Sequence, residues 1–101
     1  MIHRIVFRPA AQADLRALYD YIAGEAGHDI AGAYLNRIEA ACMALSTFPT
    51  RGNARDDLLP GLRIVGFERR VSIAFVVEAD AVRILRIFYG GRDFPNEWAE
   101  E

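Results

Sequence analysis

The chain has 101 residues, 52% of them hydrophobic and 26% charged, the balance of an ordinary globular domain rather than a fibrous or disordered chain. Its formal charge is −2 and all 12 basic residues are arginine, which argues against a globally basic nucleic-acid binder. No apolar run approaches the roughly 18 residues of a membrane span, and residues 1–7 lack a signal-peptide layout, so the expected location is the cytoplasm.

Residues 2–7 read as a first strand. Pro9 then suits the first turn of a helix, where its missing N–H has no partner to lose. Ala11, Leu15, Leu18 and Ile22 recur at helical spacing, while Asp14, Arg16 and Asp20 fall outside that stripe. Gly24 and Gly27 are expected to end this helix. Asp29 is the expected N-cap of a second one. Its buried stripe reads Ile30, Tyr34, Ile38, Ala41 and Leu45, widened by Leu35 and Cys42, and Thr47-Phe48-Pro49 stops it. So short a connection predicts an antiparallel helical hairpin.

Residues 49–61, with their prolines, glycines and aspartates, read as a loop. Strands are predicted over 62–67, 70–78 and 81–89, joined by a tight turn at Glu68-Arg69 and a second connection at Ala79-Asp80. This order predicts an α+β domain: an N-terminal strand, an antiparallel helical hairpin, then a three-stranded antiparallel meander joined by the first strand in one sheet. Residues 94–101 add three acids and no base. They are a candidate for a short acidic helix docked through Trp98.

Several chemistries lack their residues. There is no phosphate-binding glycine loop and no dinucleotide fingerprint. His3 and His28 lie on separate elements without partners at ligand spacing, and the lone Cys42 can build neither a disulfide nor a metal site. Cys42 reads as a small core residue, His28 as a turn residue, and Asp56-Asp57 as a solvated loop pair. No metal and no cofactor are expected.

Arginine chemistry is what remains. Strict alternation over 81–89 puts Val82, Ile84, Arg86 and Phe88 on one face, and Arg83, Leu85, Ile87 and Tyr89 on the other. Arg86 therefore falls among core-type residues. A charge there must snorkel, serve a function, or pair with a carboxylate such as Asp14, Asp20 or Asp57. Arg83 reads as a surface residue. Arg92-Asp93, after the Gly90-Gly91 break, reads equally as a local ion pair and as part of a functional surface.

Five segments follow one another in a familiar order. They are Phe7-Arg8-Pro9-Ala10 with Ala13-Asp14-Leu15 and Tyr21-Ile22; residues 45–49 with Gly52; Asp57-Leu58-Leu59-Pro60-Gly61-Leu62-Arg63; Val71-Ser72-Ile73-Ala74-Phe75; and residues 84–93. Together, over nearly the whole length, they resemble the RelE/ParE superfamily of bacterial toxins, and its ParE branch in particular.

The resemblance implies one ParE-like toxin domain over residues 1–101, with a helical hairpin against a curved antiparallel sheet. It implies the toxin of a type II toxin–antitoxin pair, blocking replication by binding DNA gyrase. A ParD-like antitoxin would fold over it on binding, in a hetero-oligomer, and no sequence-specific nucleic-acid binding is expected. Arg86, Tyr89, Gly91, Arg92 and Trp98 are the implied target contacts. Leu15, Leu18, Tyr19, Ile22 and Phe75 are the implied antitoxin contacts.

RelE-type relatives instead cleave messenger RNA on the ribosome. On that alternative, Arg63, Arg86, Tyr89 and Arg92 would hold phosphate or move protons. The chain has no lysine for such a site and no histidine near the strand arginines. A tyrosine phenol also holds its proton too firmly at neutral pH to act as a base. The sequence therefore favours an inhibitor that binds, with no catalytic residues. A non-toxic homologue acting as an antitoxin-binding subunit is a third reading.

Overall fold

A computed structural model describes residues 2–90. Along the chain run β1 (Arg4–Phe7), α1 (Pro9–Ala26), α2 (His28–Ala44), β2 (Asn53–Ala54), β3 (Leu62–Phe67), β4 (Val71–Val77) and β5 (Ala81–Tyr89). The strands form one sheet in the order β1-β5-β4-β3-β2. The meander β3-β4-β5 is antiparallel, and β1 joins it parallel to β5. The α+β class and the helical hairpin read from sequence are the observed ones. Among the described residues, no helix is long and apolar enough to cross a membrane.

The hairpin is tighter than its sequence suggests. α1 continues through Gly24 to Ala26, so Gly27 alone separates the helices. Gly27 has φ 99°, a left-handed conformation that costs glycine little, and its N–H donates to the Ala23 carbonyl at 2.9 Å. α2 therefore starts at His28, and Asp29 sits inside its first turn rather than capping it. Its negative charge there still favours the helix N-terminus. The buried line of α2 is Ala31, Leu35, Ile38 and Cys42, followed by Leu45. That is a rotation by about one residue from the expected stripe, and it leaves Ile30 56% exposed.

The main core lies between the hairpin and one sheet face. It joins Ala11, Leu18, Leu35, Ile38 and Leu45 to Ile73, Phe75, Val82, Ile84 and Ile87. Cys42 is fully enclosed in it, and burial, followed by the nearby Glu39 charge, pushes its thiol up to about 12. The opposite face has a smaller apolar cluster: Leu62, Ala74 and Phe88, with Leu58 and Leu59 from the preceding loop packed against it.

One bulge decides which side chains of β5 face where. Arg86 pairs with Ala74 but Ile84 pairs with Phe75, so Leu85 is an extra residue on β5. Such an insertion reverses the alternation beyond it. Val82 and Ile84, then Ile87 and Tyr89, join the helix-side core, whereas Leu85 and Phe88 belong to the opposite cluster. The alternation read from sequence thus holds only as far as Ile84.

The loop before β3 hides a short strand, β2, which pairs with Arg63 and Ile64. Gly52, at φ 80°, brings its backbone so close to the Ile64 carbonyl that a Cβ would collide with it. Arg63 secures the same loop, donating to the carbonyls of Thr50 (2.6 Å), Arg51 (3.0 Å) and Gly52 (3.1 Å).

Candidate partner-binding surface

β1 pairs with β5 from Ala81 to Ile84, so among the described residues no strand lies beside residues 85–89 on that edge. Helix α1 takes over there. Asp14 accepts from Arg86 Nε at 2.8 Å and Nη2 at 3.0 Å, and its Oδ2 also accepts the Ile87 N–H at 2.9 Å. One carboxylate thus neutralises the strand arginine and satisfies an edge donor. Asp14 is the partner among the three aspartates considered for Arg86. The Arg86 guanidinium also lies 5.1 Å from the Phe88 ring centre. Arg83, expected at the surface, pairs with Glu78 at 2.7 Å.

Tyr89 ends β5 between two clefts. A cleft of about 200 Å³ is lined by Asp14, Ala17, Leu18, Tyr21, Ile87 and Tyr89. A wider one of about 400 Å³ includes Ile22, Ile30, Tyr34, Arg37 and Arg70 together with Tyr89. The Tyr89 ring sits 5.9 Å from Tyr21 and 6.4 Å from Tyr34, and Tyr34 continues to Phe67 at 6.3 Å. The Tyr34 hydroxyl is buried and has no hydrogen-bond partner among the described residues. Burial first, then Tyr89 and Glu68, raise its pKa. Arg37 lies 5.1 Å over the Tyr34 ring and grips Glu68 through two hydrogen bonds. Tyr21 and Ile30, each 56% exposed, stand at the hairpin end of this aromatic row.

The sequence-derived residues distribute unevenly over this surface. Arg86 and Tyr89 are neighbours on it, while Gly91, Arg92 and Trp98 lie outside the described residues. Arg63 does not join them. It stands opposite Phe75 and binds the 50–52 loop, whereas Tyr89 pairs with Val71 at the other end of the sheet. Among the described residues, the phosphate-holding set of the ribonuclease alternative is therefore not assembled.

Of the expected antitoxin contacts, Leu15, Tyr19 and Ile22 are half-buried, and Leu18, 6% exposed, lines the smaller cleft. Phe75 is completely enclosed in the core and offers no surface; its place in a strand interior is the reason. Tyr21, Ile30, Tyr34 and Arg37 were not singled out as contacts. Tyr21 carried a usable signal, an aromatic lying off the apolar stripe of its helix. Among the described residues, no group of three His, Cys, Asp or Glu could hold a metal.

Comparison with known proteins gives this architecture its place. Residues 5–94 match the family described as ParE toxin of type II toxin–antitoxin system, parDE. The chain is 33% identical over 87 residues to toxin ParE3 of Caulobacter vibrioides, covering 86% of each. Among solved structures it resembles a chain of the chromosomal ParDE toxin–antitoxin system from P. aeruginosa, with TM-score 0.77, 28% identity, and 88% of this chain and 97% of that one covered. It shares its fold with the toxin–antitoxin complex RelBE2 from Mycobacterium tuberculosis, at TM-score 0.60 and 20% identity over 88% and 99% of the two chains. The chain belongs to the ParE toxin family of type II toxin–antitoxin systems.

Proposed function

We propose that this toxin arrests growth by binding DNA gyrase and is neutralised by a cognate ParD-like antitoxin. The observation that carries a binding rather than a cutting mechanism is the commitment of the strand arginines. Arg63 spends its guanidinium on three loop carbonyls, and Arg86 spends its own on Asp14. An inhibitor of this kind holds one conformation of its target by binding that conformation better than the others.

The antitoxin would lie along the two clefts flanking Tyr89. They offer half-buried apolar side chains, the exposed Tyr21 and Ile30, and a buried hydroxyl at Tyr34 to an incoming segment. A chain that folds on binding gains most from such a surface, through apolar anchors spaced along a groove.

Pulse labelling of DNA and protein synthesis after controlled induction, without the antitoxin, tests the target. DNA synthesis should stop first, and purified gyrase should lose supercoiling activity when the toxin is added. Collapse of translation ahead of replication would overturn the gyrase assignment in favour of messenger-RNA cleavage. If neither process responded to soluble, folded protein, both would fall.

A further inference from the structure

The wider cleft beside Tyr89 lies where α2, the β3–β4 turn and the end of β5 meet. α2 brings Tyr34 and Arg37 to it, the turn brings Glu68 and Arg70, and β5 ends there in Tyr89. One donor in it has no use in the free protein. The Tyr34 hydroxyl is buried and finds no hydrogen-bond partner among the described residues. Its ring already packs between Phe67 and Tyr89, with ring centres 6.3 Å and 6.4 Å away. A buried donor without an acceptor destabilises the fold that carries it, and phenylalanine would fill the same place without that loss. The hydroxyl is therefore explained by an acceptor that arrives from outside.

The charges beside the hydroxyl specify that acceptor. Arg37 and Glu68 satisfy each other through two hydrogen bonds, at 3.0 Å and 3.3 Å, and leave little net charge between them. Arg70 is exposed and, among the described residues, has no ion pair and no side-chain hydrogen bond. It is close enough for its charge to act on the Tyr34 hydroxyl, while burial, then Tyr89 and Glu68, hold the phenol in its protonated form. A protonated phenol beside an unpaired guanidinium suits a carboxylate, which accepts from the first and neutralises the second. A neutral carbonyl would answer Tyr34 alone and leave Arg70 without a counter-charge. Because the hydroxyl has no exposed surface, an acceptor reaches it only as a neighbouring side chain swings aside. Arg37 and Glu68 hold each other in place, whereas Arg70 is free to move. The exposed Ile30 and half-buried Ile22 line the same cleft and supply its apolar flank.

We propose that the antitoxin seats one aspartate or glutamate side chain in this cleft, its carboxylate accepting from the Tyr34 hydroxyl and pairing with Arg70, while apolar residues of the same segment cover Ile22 and Ile30. This inference rests on the assignment of the two clefts to the antitoxin and narrows it to one anchoring residue type. It does not depend on gyrase being the target.

Binding of the purified full-length toxin to the full-length antitoxin encoded beside it provides the test. Tyr34→Phe and Arg70→Ala should each raise the Kd on the order of ten-fold, the usual weight of a hydrogen bond to a charged group. In the antitoxin-free toxin, Tyr34→Phe should leave the urea midpoint unchanged or higher, which separates lost recognition from lost folding. Each Asp and Glu of the antitoxin is then changed in turn to Asn or Gln. One position should reproduce the loss, and combining it with Tyr34→Phe or Arg70→Ala should fall short of additivity. Ile30→Asp tests the cleft itself. If it weakens binding but Tyr34→Phe and Arg70→Ala do not, the antitoxin uses the cleft without a carboxylate, and this proposal falls alone. If none of the three weakens binding, the antitoxin lies elsewhere and both assignments fall. A loss with Tyr34→Phe that no antitoxin acid shares would also overturn the proposal, because the acceptor is then a neutral carbonyl. So would a lower urea midpoint in Tyr34→Phe, since the hydroxyl would then have a partner within the free toxin.

Discussion

On the helix-covered face of the sheet, Ile73, Phe75, Val82 and Ile84 have no exposed surface. On the opposite face, Leu62 and Ala74 are as deeply enclosed, but Ile64, Val76 and Leu85 stay half-buried. The residue types are alike on the two sides, so composition does not make the difference. Among the described residues, two helices seal one side, and a short loop partly covers the other. The bulge at Leu85 then assigns Ile87 and Tyr89 to the sealed side and Phe88 to the open one. Among the described residues, the helix-covered face is therefore the better sealed of the two.

The sharpest way to break that comparison is to cut one large side chain from each face. Phe75→Ala should cost about 3–5 kcal/mol, the usual loss for a fully enclosed phenylalanine, and Val76→Ala less than about 1.5 kcal/mol, since Val76 is already half open. Urea unfolding measures both. Equal losses would mean that the open face supports the fold as much as the sealed one does. If Phe75→Ala does not fold at all, Phe75→Leu gives the same ranking with a smaller effect.

Cys42 sharpens the comparison by pH, because its thiol lies inside the sealed core. Its folded-state pKa is raised, so the neutral thiol is the favoured form in the fold. The stability it contributes is complete below the unfolded value and is lost as pH rises toward about 12. Between about pH 9 and pH 12, unfolding should therefore become easier by up to roughly 1.4 kcal/mol per pH unit from this group. Cys42→Ala should remove that share of the slope, which urea midpoints at several alkaline pH values would show.

These effects bear on how far the sequence could be read. Helical spacing in Ala11, Leu15, Leu18 and Ile22, turn residues between the strands, and the long apolar run ending at Tyr89 are local signals, and the elements they indicated formed. The shift in β5 is not local. Leu85 is an ordinary strand residue, and only the pairing of Arg86 with Ala74 makes it the extra one. The exposure of Ile30 has the same origin: α2 starts one residue after Gly27, and its rotation is fixed by packing against α1 and the sheet. The sequence named Asp14 as one of three candidate partners for Arg86. It did not show that the same carboxylate also reaches the Ile87 N–H, because that depends on β1 ending at Phe7 and pairing no further along β5 than Ile84.

Asp14 joins the two regions, since it reaches from the helix layer to the edge of the sheet. Its side chain is 16% exposed and that of Arg86 33%. Asp14→Ala leaves a half-buried guanidinium and an edge N–H without their shared acceptor, at a cost of about 1–3 kcal/mol. Arg86→Ala alone should cost less, because Asp14 keeps its bond to Ile87. Single and double variants in a thermodynamic cycle measure the coupling. Additive losses would show that the pair holds nothing together.

The smallest expected effect has the opposite sign. Glu68 and Arg69 turn the chain between β3 and β4 with φ of 50° and 65°, and the Arg70 N–H reaches the Phe67 carbonyl at 3.3 Å. Two central residues at positive φ make the turn that a two-residue hairpin prefers, and glycine suits its second position best. Glu68 has reason to remain, since Arg37 holds it with two hydrogen bonds. Among the described residues, no side-chain hydrogen bond gives Arg69 a comparable hold. Arg69→Gly should therefore stabilise the protein by up to about 1 kcal/mol, by removing a left-handed penalty that outweighs glycine's greater freedom when unfolded. Because this turn serves both faces equally, the gain should be the same in the wild type and in Val76→Ala. A gain that depended on Val76 would show that the open face, and not the turn, sets how β3 and β4 meet.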